Sequence, residues 1–160
     1  MNTAAPAVTG LVCRKATRAD LPRLVELLAD DELGRQRERP GDPAYATAFA
    51  AIDADSNQLL LVGELAGNII AMLQLTFIPG LSRCGAWRAN IESVRVANDL
   101  RGRGIGEWLI RQGLQFARER GCGVAQLTSD KRRTEAHRFY GRLGFSASHE
   151  GFKLALERHE

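Results

Sequence analysis

The 160-residue sequence has few cysteines and no pattern that would hold a structural metal. Its three cysteines, Cys13, Cys84 and Cys122, are far apart and form no CxxC pair, which disfavours a disulfide framework and a zinc site. The three histidines form no HExxH pattern or comparable pair of ligands. We therefore expect a protein without a metal, working in the reducing cytoplasm.

Long hydrophobic runs are also missing. No segment approaches the roughly 20 apolar residues that span a bilayer, and residues 1–10 lack the basic and apolar regions of a secretory signal. The sequence thus predicts no membrane partner. It predicts a disordered tail over residues 1–10 and a single domain over residues 11–160, because no repeat or linker divides that stretch.

The charge balance is only mildly basic, with a net charge of +3 and a pI near 9.0. Such an excess can attract nucleic acid or a phosphorylated cofactor, and it can equally be a solvated arginine-rich surface. The RGR and KRR clusters are accompanied by no aromatic platform on which bases would stack. We therefore expect no nucleic-acid partner.

Hydrophobic periodicity and turn residues predict a mixed α/β fold, with a mixed sheet and helices on both of its faces. Its predicted order is β-α-α-β-β-β-α-β-α-β-β, with residues 30–42 mostly loop and residues 97–103 a loop. In the fourth strand, two-residue alternation places Glu92, Val94 and Val96 on one face. Strands are predicted over residues 11–16, 58–64, 68–78, 87–96, 124–128, 145–148 and 152–156, and helices over residues 21–28, 43–53, 104–120 and 134–143.

A glycine-rich segment, RGRGIG, follows the fourth strand and opens a helix. The unpaired N–H groups at a helix N-terminus, together with the helix dipole, form a site for phosphate. Gly104 and Gly106 allow close approach of the backbone, and Arg101 and Arg103 add positive charge. The segment matches neither the P-loop nor the dinucleotide fingerprint. From the residues alone, it is either a phosphate site or only a tight strand-to-helix turn.

Two segments, IESVRVANDLRGRGIGEWLI and AHRFYGRLGF, resemble motifs of the GNAT superfamily of N-acetyltransferases. The first has a strand ending in V-x-V followed by R-x-x-G-x-G at the start of a helix. The second is similar to the family pattern A-x-x-F-Y-x-x-x-G-F. The chain departs from the pattern at Arg133, where many members have an asparagine. Its C-terminal half also resembles small-molecule amine acetyltransferases such as the aminoalkylphosphonate N-acetyltransferases.

The resemblance implies a mostly antiparallel GNAT-like sheet, a homodimer, and acetyl-CoA as co-substrate without a metal. It implies that Tyr140 protonates the leaving thiolate, which suits a phenol with a pKa of about 10. Glu92 is the candidate base, with binding of the amine as its alternative role. The positions implied to bind the cofactor are Val94, Arg95, Val96, Arg101, Gly102, Arg103, Gly104, Ile105, Gly106 and Arg133.

The predicted function is transfer of an acetyl group from acetyl-CoA to a primary amine of a small molecule, by direct attack in a ternary complex. Two alternatives remain at this point: acetylation of a protein Nα or lysine amine, and a sensor domain that binds acyl-CoA without turnover. The segments expected to choose the acceptor, residues 30–42 and 79–88, contain both carboxylates and arginines. The identity of the amine is therefore left open.

Overall fold

A computed structural model describes residues 8–156, apart from the side chains of residues 32 and 33. The chain divides into two compact units, one ending at Leu127 and one beginning at Thr128. The predicted tail falls mostly on residues 1–7, outside the described part. That residues 11–160 form a single domain stays a prediction.

The first unit is a five-stranded sheet with helices. Its strands are β1 (Leu11–Lys15), β2 (Gln58–Leu65), β3 (Asn68–Ile78), β4 (Trp87–Val96) and β5 (Cys122–Leu127). Its helices are α1 (Leu21–Ala29), α2 (Glu32–Arg37), α3 (Ala44–Ala54), the single turn α4 (Ser82–Gly85) and α5 (Ile105–Glu119). The second unit contains α6 (Thr134–Arg142).

The strands lie side by side in chain order. All neighbouring pairs are antiparallel except β4 and β5, which are parallel and connected through α5. The hairpin between β2 and β3 turns at Ala66 and Gly67, whose φ values of 49° and 79° are those of a tight hairpin turn. The predicted mixed, mostly antiparallel sheet is confirmed.

Helices cover both faces of the sheet. On one face, Leu24 of α1 and Phe49 of α3 belong to the same buried cluster as Leu60 and Met72. On the other face, α5 lies close to β3, since a Cβ on Gly113 would be 3.3 Å from Leu73. Because successive residues of a strand point to opposite faces, Met72 packs on the side of α1 and α3, and Leu73 packs on the side of α5. Among the described residues, no helix is long and apolar enough to cross a membrane.

The predicted loop over residues 30–42 is wrong in its first half, which forms α2. Asp31 caps this helix by accepting a hydrogen bond from the Gly34 N–H at 2.6 Å. Gly34 is buried, and a Cβ at this position would lie only 2.0 Å from the Leu28 carbonyl oxygen. The glycine therefore permits close packing of two short helices, although glycine disfavours helix in isolation.

The two closing strands predicted over residues 145–148 and 152–156 are also wrong, because these residues form no strand in the structure. Phe152, Leu154 and Leu156 alternate as a strand would, but they are exposed. Alternation shows which side chains share a face, whereas a strand also needs a paired neighbour. The remaining predicted strands and helices are confirmed, with ends that shift by one or two residues.

Replacing Asp20 with asparagine is expected to make stability less dependent on pH. The Arg14 guanidinium binds both Asp20 oxygens, at 2.7 and 3.0 Å, and lowers the pKa of that carboxyl from 3.8 to about 2. A lowered pKa stabilises the fold above pH 4, and this contribution is lost as the pH falls towards 2. We expect Asp20→Asn to cost about 1 kcal/mol at pH 7.

Thermal melts of both proteins between pH 2 and 7 would check this expectation. The difference in melting temperature should be largest at neutral pH and shrink between pH 4 and pH 2. A difference that stays constant over this range would show that the ion pair contributes nothing to the stability of the fold.

Candidate functional site

Strand β4 contains a bulge at Ser93, the residue that has a φ of 54°. Glu92 pairs with Gln74 on β3, and the next paired residue of β4, Arg95, lies opposite Met72. Two residues of β4, Ser93 and Val94, therefore occupy the length of one residue on β3. A bulge of this kind bends the strand and interrupts its regular alternation.

The bulge overturns the prediction that Glu92, Val94 and Val96 share a face. Across the bulge, Val96 lies opposite Ala71, which is two residues from Leu73 on the α5 face of β3. Glu92 instead lies opposite Gln74, on the α1 and α3 face. The extra residue shifts the two-residue period by one, so Glu92 and Val96 lie on opposite faces of the sheet.

Beyond the bulge, one edge of β4 is open within the described part of the chain. Its parallel pairing with β5 ends at Ile91 and Leu127, whereas its antiparallel pairing with β3 continues to Val96. The Ala97 N–H donates to the Ile70 carbonyl at 2.8 Å, on the β3 side. Since backbone polar groups alternate sides along a strand, those of Val96 and Val94 lie on the open edge.

Two arginines donate to the carbonyls on this edge. Arg101 Nε donates to the Val96 carbonyl at 3.1 Å, and Arg95 Nη1 donates to the Val94 carbonyl at 3.0 Å. These two hydrogen bonds occupy the backbone carbonyls of Val94 and Val96, which are the acceptors on this edge. The backbone N–H groups of Val94 and Val96 are thus the donors that the edge offers to an extended ligand.

The open edge leads into the glycine turn. Gly102 and Gly104 have φ values of 76° and 79°, in the left-handed region that favours glycine. Helix α5 begins at Ile105, and the Trp108 N–H makes its bond to the Gly104 carbonyl at 3.0 Å. Residues 101–104 are exposed, whereas Ile105 is buried. The helix start is therefore anchored in the core while its preceding turn faces solvent, as an anion site requires.

The side chain of Arg95 connects β4 to α2. Its Nη2 lies 3.7 Å from the Asp31 Oδ2, and the two side chains are only 11% and 18% exposed. At the end of α2, burial alone would raise the pKa of Glu38, but hydrogen bonds from Arg37 and Tyr45 lower it. Sequence reasoning missed this cluster because residues 30–42 were expected to be mostly loop. Any cofactor role of Arg95 through its backbone stays a prediction.

Tyr140 and Arg133 belong to the second unit. The half-buried Tyr140 ring makes edge contacts with the rings of Phe139 and Phe145, at centroid distances of 5.1 and 5.9 Å. Arg133 is exposed just before α6, and its backbone N–H donates to the Asp130 carbonyl at 3.0 Å. The catalytic role of Tyr140 and the cofactor role of Arg133 stay predictions.

Glu92 is exposed on the surface of the sheet. Its roles as base and as ligand of the amine stay predictions. Within residues 8–156, no group of three or more His, Cys, Asp or Glu side chains could hold a metal ion.

The fold and the strand-to-helix site agree with the comparison to known families. Residues 21–145 match the acetyltransferase (GNAT) family. The chain therefore belongs to the GNAT acetyltransferases, and the predicted fold class and family are confirmed.

The chain is also similar to several known proteins. An aminoalkylphosphonate N-acetyltransferase of Salmonella typhimurium is 30% identical over 146 residues, which are 89% of this chain and 90% of that protein. A streptothricin acetyltransferase of Streptomyces lavendulae is 35% identical over 129 residues, which are 78% of this chain and 58% of that protein. A crystal structure from Bacillus halodurans C-125, described as a transcriptional regulator, is 48% identical with a TM-score of 0.88. That match covers 91% of this chain and 99% of the other.

Proposed function

We propose that this protein transfers an acetyl group from acetyl-CoA to a primary amine of a small molecule, by direct attack in a ternary complex. The observation that carries the proposal is the open edge of β4 at Val94 and Val96, which leads directly into the glycine turn of α5. An extended amide-containing arm and a pyrophosphate are adjacent parts of CoA. The edge of β4 suits the extended arm, and the glycine turn next to it suits the pyrophosphate.

The residues present fit CoA in their chemistry. The Val94 and Val96 N–H groups would bind the carbonyls of the pantetheine arm, as a strand edge binds an extended peptide. The N–H groups from Gly102 to Gly106 would bind the pyrophosphate. Arg101 and Arg103 would add positive charge beside it. When bound, acetyl-CoA supplies an activated acyl group and a thiolate leaving group.

The remaining chemistry is transfer of protons. As the amine nitrogen forms its bond to the acetyl carbon and the carbon–sulfur bond breaks, the nitrogen must lose a proton and the sulfur must gain one. Glu92, directly or through a water molecule, accepts the proton from the amine. The Tyr140 hydroxyl donates a proton to the thiolate, whose conjugate acid is more acidic than a phenol.

Two relatives support a small-molecule acceptor over a protein. The proteins from Salmonella typhimurium and Streptomyces lavendulae are named for an aminoalkylphosphonate and for streptothricin, both small molecules. The first of these matches extends over 89% of this chain. A homodimer in the cytoplasm remains part of the proposal.

Release of free thiol from acetyl-CoA, measured with a panel of amines, tests the proposed activity. The panel contains aminoalkylphosphonates, amino sugars, polyamines and short peptides, and calorimetry measures acetyl-CoA binding separately. We expect binding together with release for one class of small amine. Binding without release for any amine would favour the sensor alternative, and release with peptides alone would favour a protein acetyltransferase.

The proposed phosphate site is tested by a matched pair of glycine substitutions. Gly102→Ala is expected to raise the Kd for acetyl-CoA about 10-fold, because a Cβ crowds the anion and disfavours the left-handed backbone. Gly121→Ala is the control, since Gly121 has a similar φ of 81° at the other end of α5. A Cβ at either glycine has open space within 4 Å. Equal loss of affinity in both variants would contradict this site.

A further inference from the structure

A line of neutral polar side chains crosses four strands of the sheet on the α1 and α3 face. In register, Gln58 lies opposite Thr76, Thr76 opposite Asn90, and Asn90 opposite Gln126. Directly opposed residues point to the same face, so these side chains form a continuous row. Gln74, two residues before Thr76 on β3, shares that face. We name Gln58, Gln74, Thr76, Asn90 and Gln126 the polar row.

Hydrogen bonds within the polar row hold its members in place without using all their capacity. The Gln58 Oε1 accepts from the Gln74 Nε2 and from the Thr76 Oγ1, both at 3.0 Å. The Asn90 Oδ1 accepts from the Gln126 Nε2 at 3.4 Å. An amide also carries two N–H donors on its nitrogen, so Gln58 and Asn90 still have donors to offer.

Packing does not explain the polar row. Further along the same face, Leu60 and Met72 are buried under α1 and α3. The face turns polar within two residues of them, at Gln58 on β2 and Gln74 on β3, and these polar side chains are half-buried. Central strands that serve only a core carry apolar residues on such a face, because a half-buried amide loses part of its hydration. The row therefore indicates a polar ligand.

Glu92 lies next to the polar row. It is opposite Gln74 on β3 and two residues from Asn90 on β4, on the same face of the sheet. A carboxylate at this place suits an ammonium group, and the neutral amides and hydroxyl beside it suit groups that both donate and accept hydrogen bonds. Alcohol hydroxyls have that property. Four neighbouring strands span about 14 Å, at about 4.8 Å per gap, which accommodates one or two sugar rings.

We propose that the polar row is the acceptor-binding surface and that the acceptor is an amino sugar, with its amine at Glu92 and its hydroxyls on the row. This inference rests on the proposed acetyltransferase function and narrows its substrate class. A short aminoalkylphosphonate fits less well, because the polar row is uncharged and Arg95, on the same face, already donates to the Val94 carbonyl and lies 3.7 Å from Asp31. Exposed Arg88, two residues before Asn90 on the same face, leaves room for a phosphate on a distant sugar carbon.

Kinetics with matched amines tests the inference. We expect glucosamine or its 6-phosphate to give a higher kcat/KM than putrescine and 2-aminoethylphosphonate, which carry no hydroxyl groups on carbon. Thr76→Val and Asn90→Leu should each raise the KM for the amino sugar about 10-fold, the value of one buried hydrogen bond. The KM for acetyl-CoA should stay unchanged. Thr76→Ser, which keeps the hydroxyl, should retain the wild-type KM.

Gln115→Leu serves as the control variant, since Gln115 is an exposed glutamine on α5, away from the polar row. Calorimetric titration of the amino sugar into CoA-saturated protein gives a second readout, and thermal melts verify that each variant folds. Higher kcat/KM for the amines without hydroxyls would overturn the inference, as would unchanged amino-sugar binding in both row variants. In those cases acetyl-CoA still binds and reacts, so the acetyltransferase function stands. Failure of acetyl-CoA to bind would overturn both proposals.

Discussion

Replacing Tyr140 with phenylalanine is expected to lower kcat for acetyl transfer about 100-fold, at the lower end of what a general acid contributes. Without the phenol the thiolate must leave unprotonated or take its proton from water, which corresponds to a barrier higher by about 2.7 kcal/mol. Phenylalanine keeps the ring that contacts Phe139 and Phe145, so the fold and the Kd for acetyl-CoA should change little. Steady-state kinetics together with calorimetry would measure both quantities.

The chain provides its own control for this experiment, because its only other tyrosine is Tyr45. The Tyr45 hydroxyl donates to the Glu38 Oε2 at 2.8 Å and accepts from the Arg39 N–H at 3.0 Å. These hydrogen bonds stabilise the local fold and assign Tyr45 no part in catalysis. Tyr45→Phe should therefore lower stability slightly and leave kcat within about twofold. If Tyr140→Phe changes kcat no more than Tyr45→Phe does, Tyr140 is not the acid.

Replacing Gly34 with alanine is expected to be the most destabilising single-methyl change in the α1–α2 region. The added Cβ would lie 2.0 Å from the Leu28 carbonyl oxygen and 2.9 Å from the Asp31 Oδ1. The first overlap is with backbone, so α2 must shift relative to α1. We expect a loss of about 3 kcal/mol, or roughly 10 °C in melting temperature.

A shift of α2 should also be visible in the kinetics. Asp31 caps α2 and lies 3.7 Å from Arg95, which itself lies on the same face of β4 as Glu92. We expect Gly34→Ala to raise the KM for the amine more than the KM for acetyl-CoA. Equal changes in the two KM values would show that α2 has no selective effect on binding of the acceptor.

Gly113→Ala is the appropriate control, since Gly113 is also a buried glycine inside a helix. There the added Cβ would meet only the Leu73 and Leu75 side chains, at 3.3 Å and beyond. Side chains can give way, and alanine favours helix by about 1 kcal/mol over glycine. Gly113→Ala should thus change stability by less than about 1 kcal/mol. A similar loss of stability in both variants would show that the overlap with the Leu28 backbone is not what destabilises Gly34→Ala.

Where local residues decide the backbone, the sequence predicted the structure well. The hairpin at Ala66 and Gly67 and the helix start after Gly104 both need left-handed residues, and glycine marks such positions. The first family motif includes that same turn, so the sequence alone is enough to name the proposed cofactor residues there. Except for Arg133, the proposed cofactor residues lie on the open strand edge or at the start of α5, and the function of all of them stays a prediction.

Where distant contacts decide the backbone, sequence reasoning failed. The bulge at Ser93 has no glycine to mark it, because pairing with β3 rather than local preference holds its φ at 54°. Helix α2 was missed because its glycine is required by the Leu28 carbonyl of the preceding helix. The polar row was missed for a similar reason. Its members come from four strands, and only the register of the sheet shows that they are neighbours.

The open edge of β4 also bears on the solubility of this protein. An unpaired strand edge can recruit the edge of another molecule and start aggregation. Here the bulge at Ser93 limits the exposed stretch to a few residues, and Arg95 and Arg101 already occupy the carbonyls at Val94 and Val96. A second chain would find too few partners to extend a shared sheet. The same distortion that exposes two N–H groups to a ligand therefore protects the protein against self-association through that edge.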